Sequence, residues 1–200
     1  MQETYIQQAY LKLIERAEDE VLIANAYFVP TPSISLALKN AAKRCVSVTV
    51  ISNSPKTNDL PEISLVGRGY YAELLAVNES PAVAACSRPD AGLAIWEWVG
   101  QAPDEDEQLQ GTMHSKFAVV DGRLSLVGSY NLDPRSEQLN SETALVFEQP
   151  ALAQELRSLL QDDLHFSRQV TAEQAAGFEM PEEAVIRFRK WMGETFESEL

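Results

Sequence analysis

Hydrophobic positions along this chain alternate between a helical and a strand period. Tyr5, Ile6, Ala9, Tyr10, Leu13, Ile14 and Ala17 fall on one stripe, which predicts a helix over residues 5–17. The run EVLIANAY at 20–27 reads as a buried strand. Phe28-Val29-Pro30-Thr31-Pro32 is a turn, after which Thr31 or Ser33 can cap a helix reaching about Lys43. Cys45 to Ser52 is a second, β-branched strand. Helix then strand, twice over, is the rhythm of an open βαβ sheet.

The middle of the chain is less regular. Residues 53–61 are polar and turn-rich, and a helix follows through Tyr71 and Leu75. Residues 78–92 show no period and read as a surface loop, and LAIWEWV at 93–99 is a strand. The acidic stretch 101–110 reads as a solvated loop. Residues 116–121 and 123–127 flank Asp121-Gly122, a strong hairpin signal. A strand over 142–148 and an amphipathic helix from Pro150 to about Leu164 complete the body. From Thr171 the chain is helical by composition, with Phe188, Trp191 and Met192 placed to dock on the rest. The fold class expected is α/β, a mixed central β-sheet flanked by helices on both faces. The organisation expected is a catalytic half-domain over 1–170 and a helical extension over 171–200 packed on it.

Composition narrows the partners. Two hundred residues with 45% hydrophobic and 23% charged positions make one ordinary globular domain. The net charge of −14 opposes wrapping of nucleic acid or broad adhesion to anionic bilayers, while leaving room for a local phosphate pocket. Cys45 and Cys86 fit no zinc spacing and read as separate buried fillers rather than as a disulfide. The N-terminus has neither a basic nor an apolar signal region, and no apolar run approaches the roughly 20 residues that span a bilayer. A cytoplasmic location, peripheral at the membrane, is therefore expected.

The chemistry sits in His114-Ser115-Lys116, Asp121 and Gly128-Ser129-Tyr130-Asn131, the pattern H-x-K-x4-D-x6-G-S-x-N. At background frequencies these six positions would coincide roughly once in a few hundred thousand chains of this length. A phosphodiester is shielded by anionic oxygens, so a nucleophile needs cationic and neutral donors around it. Imidazole is nucleophilic near neutral pH and can form a covalent phosphoenzyme. On an extended segment His114 and Lys116 share a face, and Ser129 and Asn131 are neutral donors two apart on the strand folded back beside them. Asp121 fits its turn so well that its role reads as structural, as does that of Gly128.

At these residues the chain resembles the phospholipase D superfamily, and its flanks resemble bacterial cardiolipin synthases, in particular the C-terminal half of such an enzyme. AYFVP at 26–30, VISNSPKTNDLP at 50–61 and MHSKFAVVDGRLSLVGSYNLDPRSEQLNSETALVF at 113–147 carry the likeness. The resemblance implies phosphatidyl transfer to make cardiolipin, through a phosphohistidine on His114 or on its counterpart in a second half-site. Lys116 and Asn131 would hold the non-bridging oxygens, Ser129 would assist, and Glu142 would orient the histidine. No metal and no cofactor are expected, since two histidines far apart in sequence and no paired carboxylate cluster with ligand spacing leave nothing to hold a metal. The implied partners would be a phospholipid substrate, a peripheral membrane surface and a second H-x-K half-site, supplied by a missing N-terminal half or by a homodimer, with no nucleic acid. This chain has one motif: His165, the other histidine, lacks a lysine partner and reads as structural. The start just ahead of a helix favours a fragment, and the isolated chain is expected to be nearly inactive. Competing readings are a homodimeric phosphodiesterase or nuclease of the same superfamily, and a half-domain kept for interaction alone.

Overall fold

The computed structural model describes residues 4–101 and 111–198, so most of the acidic 101–110 stretch lies outside the described residues. Among the described residues seven strands form one sheet: β1 (Glu20–Asn25), β2 (Ser47–Asn53), β3 (Gly92–Trp98), β4 (Lys116–Val120), β5 (Leu124–Gly128), β6 (Ala144–Glu148) and β7 (Ser167–Gln169). Their order is β6-β5-β4-β1-β2-β3-β7. The central β1, β2 and β3 are parallel, while β4, β5, β6 and β7 each join antiparallel to a neighbour. The helices before the hairpin are α1 (Tyr5–Arg16), α2 (Pro32–Lys43), α3 (Pro61–Arg68), α4 (Tyr71–Leu75) and α5 (Pro81–Ala84). Those after it are α6 (Pro134–Gln138), α7 (Pro150–His165), α8 (Ala172–Ala176) and α9 (Glu182–Ser198).

Strand alternation sorts side chains onto two layers of core. Val21 and Ile23 of β1 and Val48 and Val50 of β2 bury against Tyr10 and Ile14 of α1 and Leu38 of α2. Leu22, Ala24 and Ile51 point the other way, onto Ala153, Leu156 and Leu160 of α7. Each of these buried leucines contributes roughly 2 kcal/mol by leaving water. The sheet thus carries helices on both faces, as its period predicted.

The differences from expectation have local causes. The strand at 20–27 stops at Asn25, where the side chain turns to bonding loops instead of packing. The helix expected through Tyr71 and Leu75 is broken between α3 and α4 at Gly69-Tyr70. Residues 78–92, expected to be loop, begin in the 3₁₀ turn Ala76–Glu79 and contain the short α5. The short α6 and β7 were not anticipated.

The cysteines correct the filler reading: Cys45 and Cys86 are joined in a disulfide. Helix α2 ends in a Schellman arrangement, with Cys45 N–H donating to Ala42 O (3.0 Å) and Val46 N–H to Ala41 O (3.2 Å). Cys45 takes the left-handed backbone there (φ 69°), a place that glycine usually fills. The bridge fastens this helix end to the irregular segment before β3, which Asn78 and Arg88 also tie down through Leu93 and Asp19. The cysteines lie 41 positions apart. Opening a loop of that length is expected to cost up to about 4 kcal/mol. Urea unfolding with and without reductant checks this: the midpoint should fall on reduction, and should fall equally in a Cys45→Ser, Cys86→Ser double variant without reductant.

Candidate active site

Strand direction decides where the chemistry gathers. Parallel β1 and β2 end at Asn25 and Asn53. Because β4 is antiparallel to β1, its first residue, Lys116, pairs with Asn25. Strand β5 returns to the same end at Gly128, which pairs with Ala144, the first residue of β6. His114, Lys116, Ser129, Asn131 and Glu142 therefore collect at one end of the sheet. Asp121 lies at the opposite end, about 17 Å away along β4.

Two fully buried asparagines hold the loops at that end. Asn25 donates from Nδ2 to Tyr130 O (3.2 Å) and accepts from Leu132 N–H (3.0 Å), gripping the chain on both sides of Asn131. Asn53 accepts from Met113 N–H (3.0 Å) and donates to Met113 O (2.7 Å) and Ala26 O (3.0 Å), fixing the residue just before His114. Ala26 N–H in turn donates to Ser115 O (3.0 Å). An amide side chain suits this work because it offers donor and acceptor together.

On the other side, Gly128 lets two backbones meet: a side-chain carbon there would sit 2.1 Å from Thr143 O. Ser129 N–H donates to Thr143 O (2.9 Å), and Thr143 N–H donates to Ser129 Oγ (3.0 Å). The Ser129 hydroxyl donates to Glu142, which also accepts from Ser136 Oγ (2.9 Å) and Asn140 Nδ2 (3.0 Å). The hydrogen bonds of Glu142 in this structure thus go to its own loop and do not include His114. A hydroxyl has one proton, so Ser129 cannot give it to a phosphate while Glu142 holds it.

His114 is exposed, and its ring meets the Tyr27 ring at 6.3 Å between centroids and 76° between planes. Lys116 Nζ reaches back to His114 O (3.1 Å). Partial burial lowers the Lys116 pKa, against the opposing pull of Glu142, Asp59 and Asp133. Asn131 is 8% exposed; its N–H donates to Ser136 Oγ (3.2 Å), and its Oδ1 has no hydrogen-bond partner among the described residues. Asp133, 1% exposed, caps α6 by accepting from Ser136 N–H (2.8 Å), while its other oxygen has no hydrogen-bond partner among the described residues. Burial pushes its carboxyl up to about 6.

Asp121 has a structural task. It and Gly122 take positive φ (52° and 59°), as a primed hairpin turn requires. Its carboxylate accepts from the N–H groups of Glu18, Asp19 and Glu20 (3.1, 2.8 and 2.9 Å) and ties the turn to the entry of β1. His165 is the last residue of α7, its ring beside Phe166.

The motif pointed to none of Asn25, Asn53, Tyr27, Asp59, Asp133, Ser136 or Asn140 as site residues. A signal was present for two of them, since EVLIAN and SVTVISN both end an apolar strand on a buried asparagine.

Residues 10–164 match the family described as "Cardiolipin synthase, PLD-like domain". Cardiolipin synthase A of Yersinia pseudotuberculosis serotype O:1b (strain IP 31758) is 34% identical over 161 residues, 80% of this chain and 28% of that protein. The Proteus mirabilis (strain HI4320) enzyme of the same name is 31% identical over 172 residues, 86% of this chain and 30% of that one. The chain therefore spans less than a third of the length of these relatives. Among solved structures, the phospholipase D family member Nuc from Salmonella typhimurium superposes with a TM-score of 0.58 at 23% identity, covering 82% of this chain and 90% of Nuc. Phosphatidylserine synthase from Haemophilus influenzae Rd KW20 gives 0.64 at 18% identity, covering 93% of this chain and 42% of that one. Both share the fold.

The Asp133 carboxyl yields a pH prediction. Its folded pKa of about 6 lies above the usual 3.8, so folding takes up a proton between these values. Stability then falls as pH rises through that window, and the full cost is present above the folded value. Asp133→Asn keeps a capping oxygen and removes the buried charge. It is expected to raise unfolding free energy by about 3 kcal/mol near pH 8 and to change little near pH 4. Denaturant titrations at the two pH values check the difference.

Proposed function

Since this chain belongs to the cardiolipin synthase, PLD-like domain family, we propose that it supplies one half-site of a phosphatidyl-transferring enzyme. The observation that supports this best is the gathering of His114, Lys116 and Asn131 at one sheet end, with His114 exposed to incoming substrate. In the proposed reaction an imidazole nitrogen forms a bond to phosphorus while the bond from phosphorus to the leaving alcohol breaks. The leaving oxygen takes its proton from a second histidine outside this chain. An acceptor alcohol then attacks the phosphohistidine, returning its proton to that second histidine as the phosphorus–nitrogen bond breaks. Lys116 and Asn131 would steady the non-bridging oxygens, and Ser129 would join them once Glu142 releases its proton.

Lys116 lies among Glu142, Asp59 and Asp133, and the motif supplies one histidine where the reaction needs a nucleophile and a general acid, which is why a second H-x-K half-site belongs to the proposal. The net charge of −14 supports a lipid diester over a nucleic-acid polymer. Among the described residues no helix is long and apolar enough to cross a membrane, which fits contact with lipid at the bilayer surface. For location, the Cys45–Cys86 disulfide supports an oxidising compartment against the cytoplasmic one expected from sequence.

The test is turnover measured against mass in solution, on phospholipid vesicles with an alcohol acceptor, on a small aryl phosphodiester and on duplex DNA. Lipid transfer should appear only in assemblies holding two H-x-K motifs and should vanish in His114→Ala. The monomer should be at least about 10²-fold slower, lacking a general acid. A monomer with robust, His114-dependent turnover would refute the half-site reading. DNA cleavage outpacing lipid transfer would favour a nuclease, and an assembled but inert protein would leave interaction alone as its role.

A further inference from the structure

A nucleophilic imidazole must point at phosphorus in line with the leaving oxygen, so something has to fix its rotation. Among the described residues the His114 ring makes no hydrogen bond, and its ring contact is with Tyr27. Tyr27 is itself held at three points. Its backbone follows Ala26, whose N–H is bonded to Ser115 O (3.0 Å), directly beside His114. Its ring lies against Trp191 of α9, 6.5 Å between centroids and 89° between planes. Its hydroxyl donates to the Asp59 carboxylate, with both oxygens in reach at 2.7 and 2.9 Å. Burial and the Asp59 carboxylate raise its pKa well above the ordinary tyrosine range, so the hydroxyl keeps its proton.

The loop carrying Asp59 is braced as well. Asn58 Nδ2 donates to Ser64 Oγ (2.6 Å) and Asn58 Oδ1 accepts from Leu60 N–H (2.9 Å), one residue to either side. Asp59 also lies within electrostatic range of Lys116.

We propose that Tyr27 and Asp59 are positioning residues for the proposed nucleophile: Asp59 anchors the Tyr27 hydroxyl, and the Tyr27 ring sets the direction of the His114 imidazole. This rests on the half-site reading above and adds to it a pair outside the H-x-K motif. Neither residue needs to touch the reacting phosphate. Their effect is on how often the imidazole is aimed, and misplacement of a reacting group by about 1 Å can cost about 10²-fold in rate.

The chain has two histidines, so the imidazole resonances of His114 can be followed by NMR with His165 as internal reference. The full chain is compared with Tyr27→Leu, Tyr27→Phe, Asp59→Ala and Asp59→Asn. Tyr27→Leu should move the His114 resonances most, Tyr27→Phe and Asp59→Ala should shift or broaden them, and Asp59→Asn, which keeps an acceptor oxygen, should restore them towards wild type. His165 should stay unmoved throughout. Should Tyr27→Leu fail to fold, Tyr27→Phe and Asp59→Ala decide the matter, the second because Asp59 is exposed. His114 resonances identical to wild type in every folded variant would overturn the proposal. In an active assembly, Tyr27→Leu should lower kcat by about 10²-fold with KM nearly unchanged. An assembly in which no protein turns over would count against the half-site reading, while the NMR comparison would still decide the role of Tyr27 and Asp59.

Discussion

The site depends on two asparagine side chains buried where parallel strands run out. At the ends of β1 and β2 the sheet stops supplying hydrogen-bond partners, yet the chain must pass twice more through that buried edge, at Met113 and at Tyr130–Leu132. Each backbone group left unpaired there would cost roughly 1–3 kcal/mol. Asn25 and Asn53 satisfy five such bonds between them, counting two at Asn25 and three at Asn53. By doing so they fasten the segment carrying His114 and the segment carrying Asn131 to adjacent strands of one rigid sheet. The spacing of the H-x-K and G-S-x-N motifs matters because these anchors turn it into distance.

Electrostatics bears on the proposal that this chain supplies half a site. Lys116 is partly desolvated and surrounded by Glu142, Asp59 and Asp133, so the local field is far from a strong anion trap. Glu142 is occupied by Ser129, Ser136 and Asn140, and Asp133 is buried with one oxygen unpaired among the described residues. This arrangement is compact and well bonded within its own loop, and it holds the Ser129 proton on Glu142. A second set of donors would shift that balance, and a bound phosphate would compete with Glu142 for the Ser129 proton.

Much of this was readable from sequence because periodicity and turn chemistry act locally. The apolar run in EVLIAN, the Asp121-Gly122 turn and the stripe of α7 each depend on a few neighbouring residues. What escaped depends on distance in space. The Cys45–Cys86 pairing requires knowing that the end of α2 and the segment before β3 meet, and neither spacing nor composition shows it. The partners of Glu142 come from a loop whose curl is set by the Asp133 cap and by the backbone contact at Gly128. The grip of Asn53 on Met113 spans sixty positions. A polar residue closing an apolar strand is the trace such contacts leave in sequence, and it marks Asn25 and Asn53 without naming what they hold.

Amide hydrogen exchange at Met113 and Leu132 tests this account most directly. Both N–H groups lie outside every strand, and each donates to a buried asparagine oxygen. They should exchange as slowly as the amides of the central strand β1, and should become fast in Asn53→Ala and Asn25→Ala respectively, while the β1 amides stay protected. Rapid exchange of both in the wild-type chain, at the rate of an open loop, would contradict the claim that these two side chains build the site.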